Sequence, residues 1–242
     1  MEPELKEIFT QVKNLLLAHQ EMGLEPPRIS RRALKFLDRG PVGRKEAAPR
    51  PDRIESLEAL RDHVGDCTRC KLARTRTHLV FGEGSERARL VFVGEGPGRE
   101  EDLVGKPFVG EAGRLLSRII ENGMGLTREE VYICNVVKCR PPGNRDPERE
   151  EIEACLPFLK AQLRIIRPEA ICVLGRVAGQ GLLGEDFRVG PARGEWHSFE
   201  GIPLMPTYHP AYLLRNASAK RQVWEDVKKI MALLGLEVKK NG

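Results

Sequence analysis

No apolar run in this 242-residue sequence approaches the roughly 20 residues that a membrane-crossing helix needs. The opening Met1-Glu2-Pro3-Glu4-Leu5 has no basic stretch leading into an apolar one, so a secretory signal is not expected. The expectation is a soluble, cytoplasmic and nucleoid-associated chain with no membrane partner. Asn and Gln are scarce while charged residues reach 31%, a balance that leans toward proteins of hot environments. There is no internal repeat. No Gly-Lys-Ser/Thr follows the glycine-rich turn Gly94-Glu95-Gly96-Pro97-Gly98, so it is not a Walker loop. Glu101 stands where a dinucleotide fingerprint would place its third glycine. The cysteines do not form a dense ferredoxin-type run.

What is present points to one α/β domain with an appendage. The hydrophobic fraction of 40% comes as short periodic runs, enough for a packed core. A formal net charge of +5 permits a polyanionic partner without requiring one. Residues Glu4 to Gly23 carry helical spacing, Pro26-Pro27 breaks the chain, and a short helix is expected over Arg31 to Leu37. The Pro-, Gly- and charge-rich stretch that follows reads as a linker. Residues 1–53 are therefore expected to be a helical extension and linker, either packing on the domain or docking a replication or repair protein. Residues 54–236 form the main domain, 237–242 a basic tail, and a monomer is expected.

In the main domain, strands are expected at Leu90–Val93, Val131–Val137, Ala170–Leu174 and Pro203–Pro206. Helices are expected around Leu57–Val64, at Glu111–Asn122, from Asp146-Pro147, from Arg176, and at Ser218–Leu234. Asp146 would cap the third of these, with Pro147 at its first position. The alternation predicts a three-layer α/β/α fold around a mostly parallel four-stranded sheet.

Ligands of such sheets bind beyond the carboxyl ends of the strands. Three unusual clusters fall there: the glycine turn, Asn135 at the end of the second strand, and Thr207-Tyr208-His209-Pro210 after the fourth. A buried amide must be hydrogen-bonded. Asn135 either bonds backbone or reads a base edge, its oxygen accepting from a pyrimidine N3–H and its nitrogen donating to O4, the polarity of uracil. His209 is either a satisfied loop histidine or a donor. Phe108 is either core or a stacking platform. Cys67-Thr68-Arg69-Cys70 is a CxxC pair, Cys139 follows the second strand, and Cys155 lies on the next helix. These four thiols can close a tetrahedral site, and both zinc and a four-iron cluster fit the spacing. Cys134 and Cys172 sit inside apolar strands as small hydrophobes.

Four motifs occur in order: Gly94-Glu95-Gly96-Pro97-Gly98-Arg99-Glu100-Glu101-Asp102, Gly105-Lys106-Pro107-Phe108-Val109-Gly110, Asn135-Val136-Val137-Lys138-Cys139-Arg140-Pro141-Pro142-Gly143-Asn144-Arg145, and His209-Pro210-Ala211-Tyr212-Leu213-Leu214-Arg215. Over Ile54 to Leu234 the sequence resembles the family 4, iron–sulfur uracil-DNA glycosylases. The resemblance implies a DNA repair enzyme that flips out and hydrolyses uracil from DNA. It implies a 4Fe-4S cluster on Cys67, Cys70, Cys139 and Cys155, with a structural role. It also implies that uracil lies against Phe108, that Asn135 reads its edge, that His209 addresses O2, and that backbone near Gly94, Glu95 and Gly96 lines the pocket. Glu101 matches an acidic position that organises the site. Gly96 stands where the best-known branch of the superfamily has a water-handling Asp, leaving Glu95 and Glu101 as the acidic candidates. Leu213 or Leu214 would wedge into the vacated stack and Arg215 would hold a phosphate. Some similar proteins trap uracil-DNA covalently through a basic loop with an added His. The segment Cys139 to Asp146 has neither, which favours turnover over a uracil-DNA or nucleic-acid-binding module that does not turn over.

Overall fold

The computed structural model describes residues 11–12, 14–15, 18–19, 21–23 and 51–237. The chain divides into two compact units, Met1–Pro49 and Arg50–Gly242. In the first, Gln11, Val12, Asn14, Leu15, Ala18, His19 and Glu21 are helical, within the span expected to be a helix. The rest of that helix, the expected helix over Arg31–Leu37, the linker ahead of Pro51 and the tail beyond Glu237 lie outside the described residues. No helix among the described residues is long and apolar enough to cross a membrane.

The second unit is a mixed α/β fold on a six-stranded sheet. Its strands are β1 (Glu83–Gly84), β2 (Leu90–Gly94), β3 (Tyr132–Asn135), β4 (Ala170–Leu174), β5 (His197–Phe199) and β6 (Ile202–Thr207), ordered β1-β3-β2-β4-β6-β5. The four expected strands form the parallel centre β3-β2-β4-β6, while β1 and β5 add antiparallel edges. The expected sheet of four strands is thus corrected to six. Both additions are only two or three residues long, too short to carry a period-two signal. They exist because β3 and β6 offer unpaired backbone edges.

Among the described residues of this unit there are eight α-helices, α1 (Leu57–Val64), α2 (Arg99–Val104), α3 (Glu111–Arg118), α4 (Arg149–Ile166), α5 (Arg176–Leu183), α6 (Val189–Ala192), α7 (Pro210–Arg215) and α8 (Lys220–Leu233). The central strands are buried on both faces, as their unbroken apolar runs require. Val91, Val93, Ile171 and Val173 pack into one core with Leu60 of α1, Phe158 and Leu159 of α4 and Ala178 of α5. Leu90, Phe92 and Cys172 pack into a second core with Leu116 of α3 and Val227 and Ile230 of α8. Cys134 and Cys172 are core residues, as their strand positions imply.

Two helix boundaries depart from expectation. The helix expected to be capped by Asp146 starts at Arg149 with Glu148 as its cap, because the Glu151 carboxylate accepts the Glu148 N–H at 2.7 Å. Asp146 instead pairs with Arg176 at the start of α5. The helix from Glu111 runs as α-helix to Arg118 and continues as a π-helical turn, Ile119–Met124, stopped by left-handed Gly125.

Candidate active site

The carboxyl ends of β2, β3 and β6 open into a cavity of about 650 Å³. Its lining includes Glu95, Gly96, Glu101, Phe108, Asn135 and His209 toward the sheet, and Tyr212, Leu214 and Arg215 from α7. Glycine turn, amide and imidazole therefore meet at one sheet edge.

Asn135 is the last residue of β3 and is 1% exposed. Its Oδ1 is buried and has no hydrogen-bond partner among the described residues. A buried acceptor left unsatisfied is costly unless a ligand supplies the donor. The backbone behind it is held firmly. Asn135 pairs with Gly94 across the sheet, and its carbonyl accepts from Nζ of the fully buried Lys138 at 2.7 Å. Gly94 lies behind the cavity wall and not on it. A Cβ there would come within 2.4 Å of Asn135 Oδ1 and 2.6 Å of Phe108 Cζ, so only glycine lets the amide and the ring share this space.

Phe108 is buried and adopts a left-handed backbone, φ 52°. Bulky side chains avoid this region, and the surroundings enforce it. Arg128 donates to the carbonyls of Pro107 (2.9 Å) and Phe108 (3.2 Å). From the other side Glu101 Oε1 accepts the N–H groups of Val109 (2.9 Å) and Gly110 (2.8 Å), while its Oε2 accepts from Gly98 (3.1 Å). Glu101 thus ties the glycine turn to the Phe108 loop with both carboxylate oxygens. The Phe108 ring stands 5.6 Å from the His209 ring, tilted by 31°.

His209 caps α7. Its Nδ1 accepts the Ala211 N–H at 3.1 Å, so a neutral ring carries its proton on Nε2. Burial drives the imidazole pKa down to about 4, against the opposing pull of the Glu101 carboxylate. At neutral pH His209 is an uncharged donor. Glu95 behaves oppositely. Burial and then the Asp146 carboxylate raise it to about 7, against the lowering effect of Arg176.

The two leucines expected as wedge candidates differ in exposure. Leu213 is 2% exposed and packs in the second core. Leu214 is 37% exposed at the cavity mouth, next to exposed Arg215.

Cys67, Cys70, Cys139 and Cys155 are free thiols gathered at the edge of one core. Burial pushes Cys139 up to about 12 and Cys155 up to about 11, and neighbouring members of the same set push further in that direction. Donors already point at the sulfurs: Arg69 at Cys67 (3.3 Å), Arg76 at Cys139 (3.4 Å), and the Lys138 N–H at Cys155 (3.3 Å). Thiols that burial makes costly to ionise, ringed by cationic and N–H donors, suit an anionic thiolate-bound group. Among the described residues no three His, Cys, Asp or Glu side chains converge as a single metal ion would need.

The family model for the uracil DNA glycosylase superfamily matches residues 81–228. The type-4 uracil-DNA glycosylase of Thermotoga maritima is 47% identical over 191 residues, covering 76% of this chain and 98% of the relative. That of Sulfurisphaera tokodaii is 46% identical over 188 residues, covering 74% and 86%. The chain belongs to the uracil-DNA glycosylase superfamily, within its type-4 branch. A type-5 uracil-DNA glycosylase of Pyrobaculum aerophilum is more distant, 29% identical over 164 residues, covering 61% and 71%.

Sequence reasoning about this type-4 domain missed several supports. Arg128 grips the Phe108 loop from 20 residues away, and nothing in its local sequence signals that. Asn144 and Arg145 line the cavity. They lie inside a quoted motif but carry no sign of where they face.

Proposed function

We propose that this chain removes uracil from DNA by hydrolysing the base–sugar bond, leaving an abasic site. The observation that carries the reading is the buried, unpartnered Asn135 Oδ1 on a cavity wall shared with Phe108 and His209. Uracil N3–H supplies the missing donor, the Asn135 amide nitrogen donates to O4, and Phe108 covers the base face. A base inside a duplex is out of reach, so the nucleotide flips out. Leu214 fills the gap and Arg215 holds a phosphate.

As the bond breaks, the sugar gains oxocarbenium character and the leaving base gains negative charge on O2 and N1. The His209 Nε2–H donates to O2 and strengthens its hold as that charge grows, which is the differential binding that catalysis requires. A neutral imidazole loses no proton and leaves no buried cation behind. Both Glu101 oxygens are occupied by backbone, so Glu101 is a positioning residue. Glu95 is the group free to orient water toward the sugar.

Cys67, Cys70, Cys139 and Cys155 would hold a 4Fe-4S cluster, and the chemistry it supplies is structural. Held by these four residues, it would tie the CxxC segment after α1 to the segment after β3 and to helix α4. That tie would fix the chain at Cys139, four residues beyond Asn135.

The test is cleavage of end-labelled DNA carrying a single uracil, with thymine and cytosine controls and alkali to break abasic sites. Cleavage of the uracil strand alone, by protein carrying stoichiometric iron and sulfide, is expected. An intact uracil strand bound by iron-loaded protein would replace this reading with a binding module.

The pH profile tests Glu95. Its raised pKa leaves it protonated below about pH 7 and ionised above. If the ionised form orients water, kcat/KM rises about tenfold per pH unit below 7 and levels off above. Asp146→Asn removes the nearby like charge and shifts the midpoint to lower pH. A profile flat through pH 7 would remove Glu95 from the chemistry.

A further inference from the structure

The cavity mouth carries an aromatic side chain that the preceding mechanism does not use. Tyr212 is 40% exposed, at the rim, whereas Phe108 at the floor is 6% exposed. Tyr212 is braced from behind. Its ring stacks on Tyr208 at 4.8 Å between centroids and 31° between planes. The Arg193 guanidinium lies 5.7 Å from the Tyr208 ring. Arg193 is in turn held by buried Asp226, its Nε donating to Oδ2 at 3.0 Å and its terminal nitrogen pairing with Oδ1. Thr207 at the end of β6 donates its hydroxyl to the same carboxylate at 2.6 Å. A chain of contacts thus runs from the buried carboxylate through the guanidinium and Tyr208 to a ring that ends half in water.

Two physical features make this a recognition surface. An exposed aromatic ring whose orientation is already set loses little freedom when it engages a ligand. A π-face beside an exposed wedge leucine and an arginine, Leu214 and Arg215, matches what single-stranded nucleic acid offers: a base face, a sugar edge and a phosphate. Flipping one nucleotide also strips its neighbour of a stacking partner, and a platform at the rim restores that partner.

We propose that Tyr212 is a stacking platform for the nucleobase adjacent to the flipped uracil. This rests on the uracil-excision reading above. The platform takes any base, because every base has a π-face, and it matters most on single strands, where the neighbour has no pairing partner to hold it.

The experiment compares wild type, Tyr212→Ala, Tyr212→Leu and Tyr212→Phe on single-stranded oligonucleotides with one uracil. Tyr212→Ala and Tyr212→Leu are expected to raise KM about 5- to 100-fold, with kcat changed by less than about threefold. Tyr212→Phe keeps the wild-type KM. When both nucleotides flanking the uracil are replaced by abasic tetrahydrofuran residues, wild type and Tyr212→Ala converge on one KM. A KM unmoved by Tyr212→Ala, or a rise that persists with abasic neighbours, overturns the proposal. A binding readout keeps this separate from the excision reading. 2-Aminopurine beside the uracil is quenched on binding wild type and not on binding Tyr212→Ala. Quenching without cleavage would sink the excision reading and keep the platform; cleavage without differential quenching would do the reverse.

Discussion

His209→Ala is expected to lower kcat for uracil excision by on the order of 100- to 1,000-fold while DNA affinity stays near that of the wild type. The imidazole is placed for one task. Its Nδ1 is committed to the Ala211 N–H, its proton is therefore on Nε2, and burial keeps it uncharged down to about pH 4. A neutral donor buried at the cavity wall binds a developing anion more strongly than the ground-state carbonyl. The substitution also removes the cap of α7, which carries Leu214 and Arg215. His209→Asn separates the two effects. Asparagine is a good N-cap but does not place a donor where Nε2 stands, so the helix is retained and the rate is still lost. Single-turnover cleavage measures the chemical step, and thermal melting of each variant reports the cap. A wild-type rate in His209→Ala would remove the residue from catalysis.

Asn135→Asp is expected to cut uracil excision by on the order of 100-fold or more at neutral pH and to bring in cytosine excision that the parent lacks. The side chain keeps its shape, so packing against Gly94 and Phe108 is preserved. What changes is polarity. The amide nitrogen that donates to uracil O4 becomes a carboxylate oxygen that repels it. The same oxygen accepts from the exocyclic amine of cytosine. Burial raises the pKa of the new carboxyl, and the protonated fraction donates to cytosine N3 as well. Parallel assays on uracil and cytosine oligonucleotides at several pH values read both effects. Unchanged uracil cleavage in Asn135→Asp would mean that the unpartnered Oδ1 does not face the base.

Much of this architecture was legible in local pattern. Four apolar runs of strand length alternating with helical periodicity specify a parallel α/β centre, since strands buried on both faces need apolar residues at every position. Residue type at a strand end was also informative. An amide in an apolar strand and a histidine before proline are costly or unusual unless used, and both are found on the cavity wall. The four cysteines could be grouped by type and spacing alone, and the structure gathers them at one core edge.

The tertiary structure decided what depends on distant contacts. β1 and β5 are too short to show periodicity and form because neighbouring strands leave open edges. Leu213 and Leu214 are adjacent and chemically identical, and only the rotation of α7 against the second core buries one and leaves the other at the cavity mouth. Glu95 and Glu101 were equal as acidic candidates in sequence. Backbone N–H groups from two loops occupy Glu101, while burial and Asp146 raise Glu95. Composition and spacing determined which chemical groups this protein could bring to one edge of its sheet. Burial and long-range hydrogen bonding, which act between residues far apart in the chain, decided which of those groups are charged, which are free, and which face the cavity.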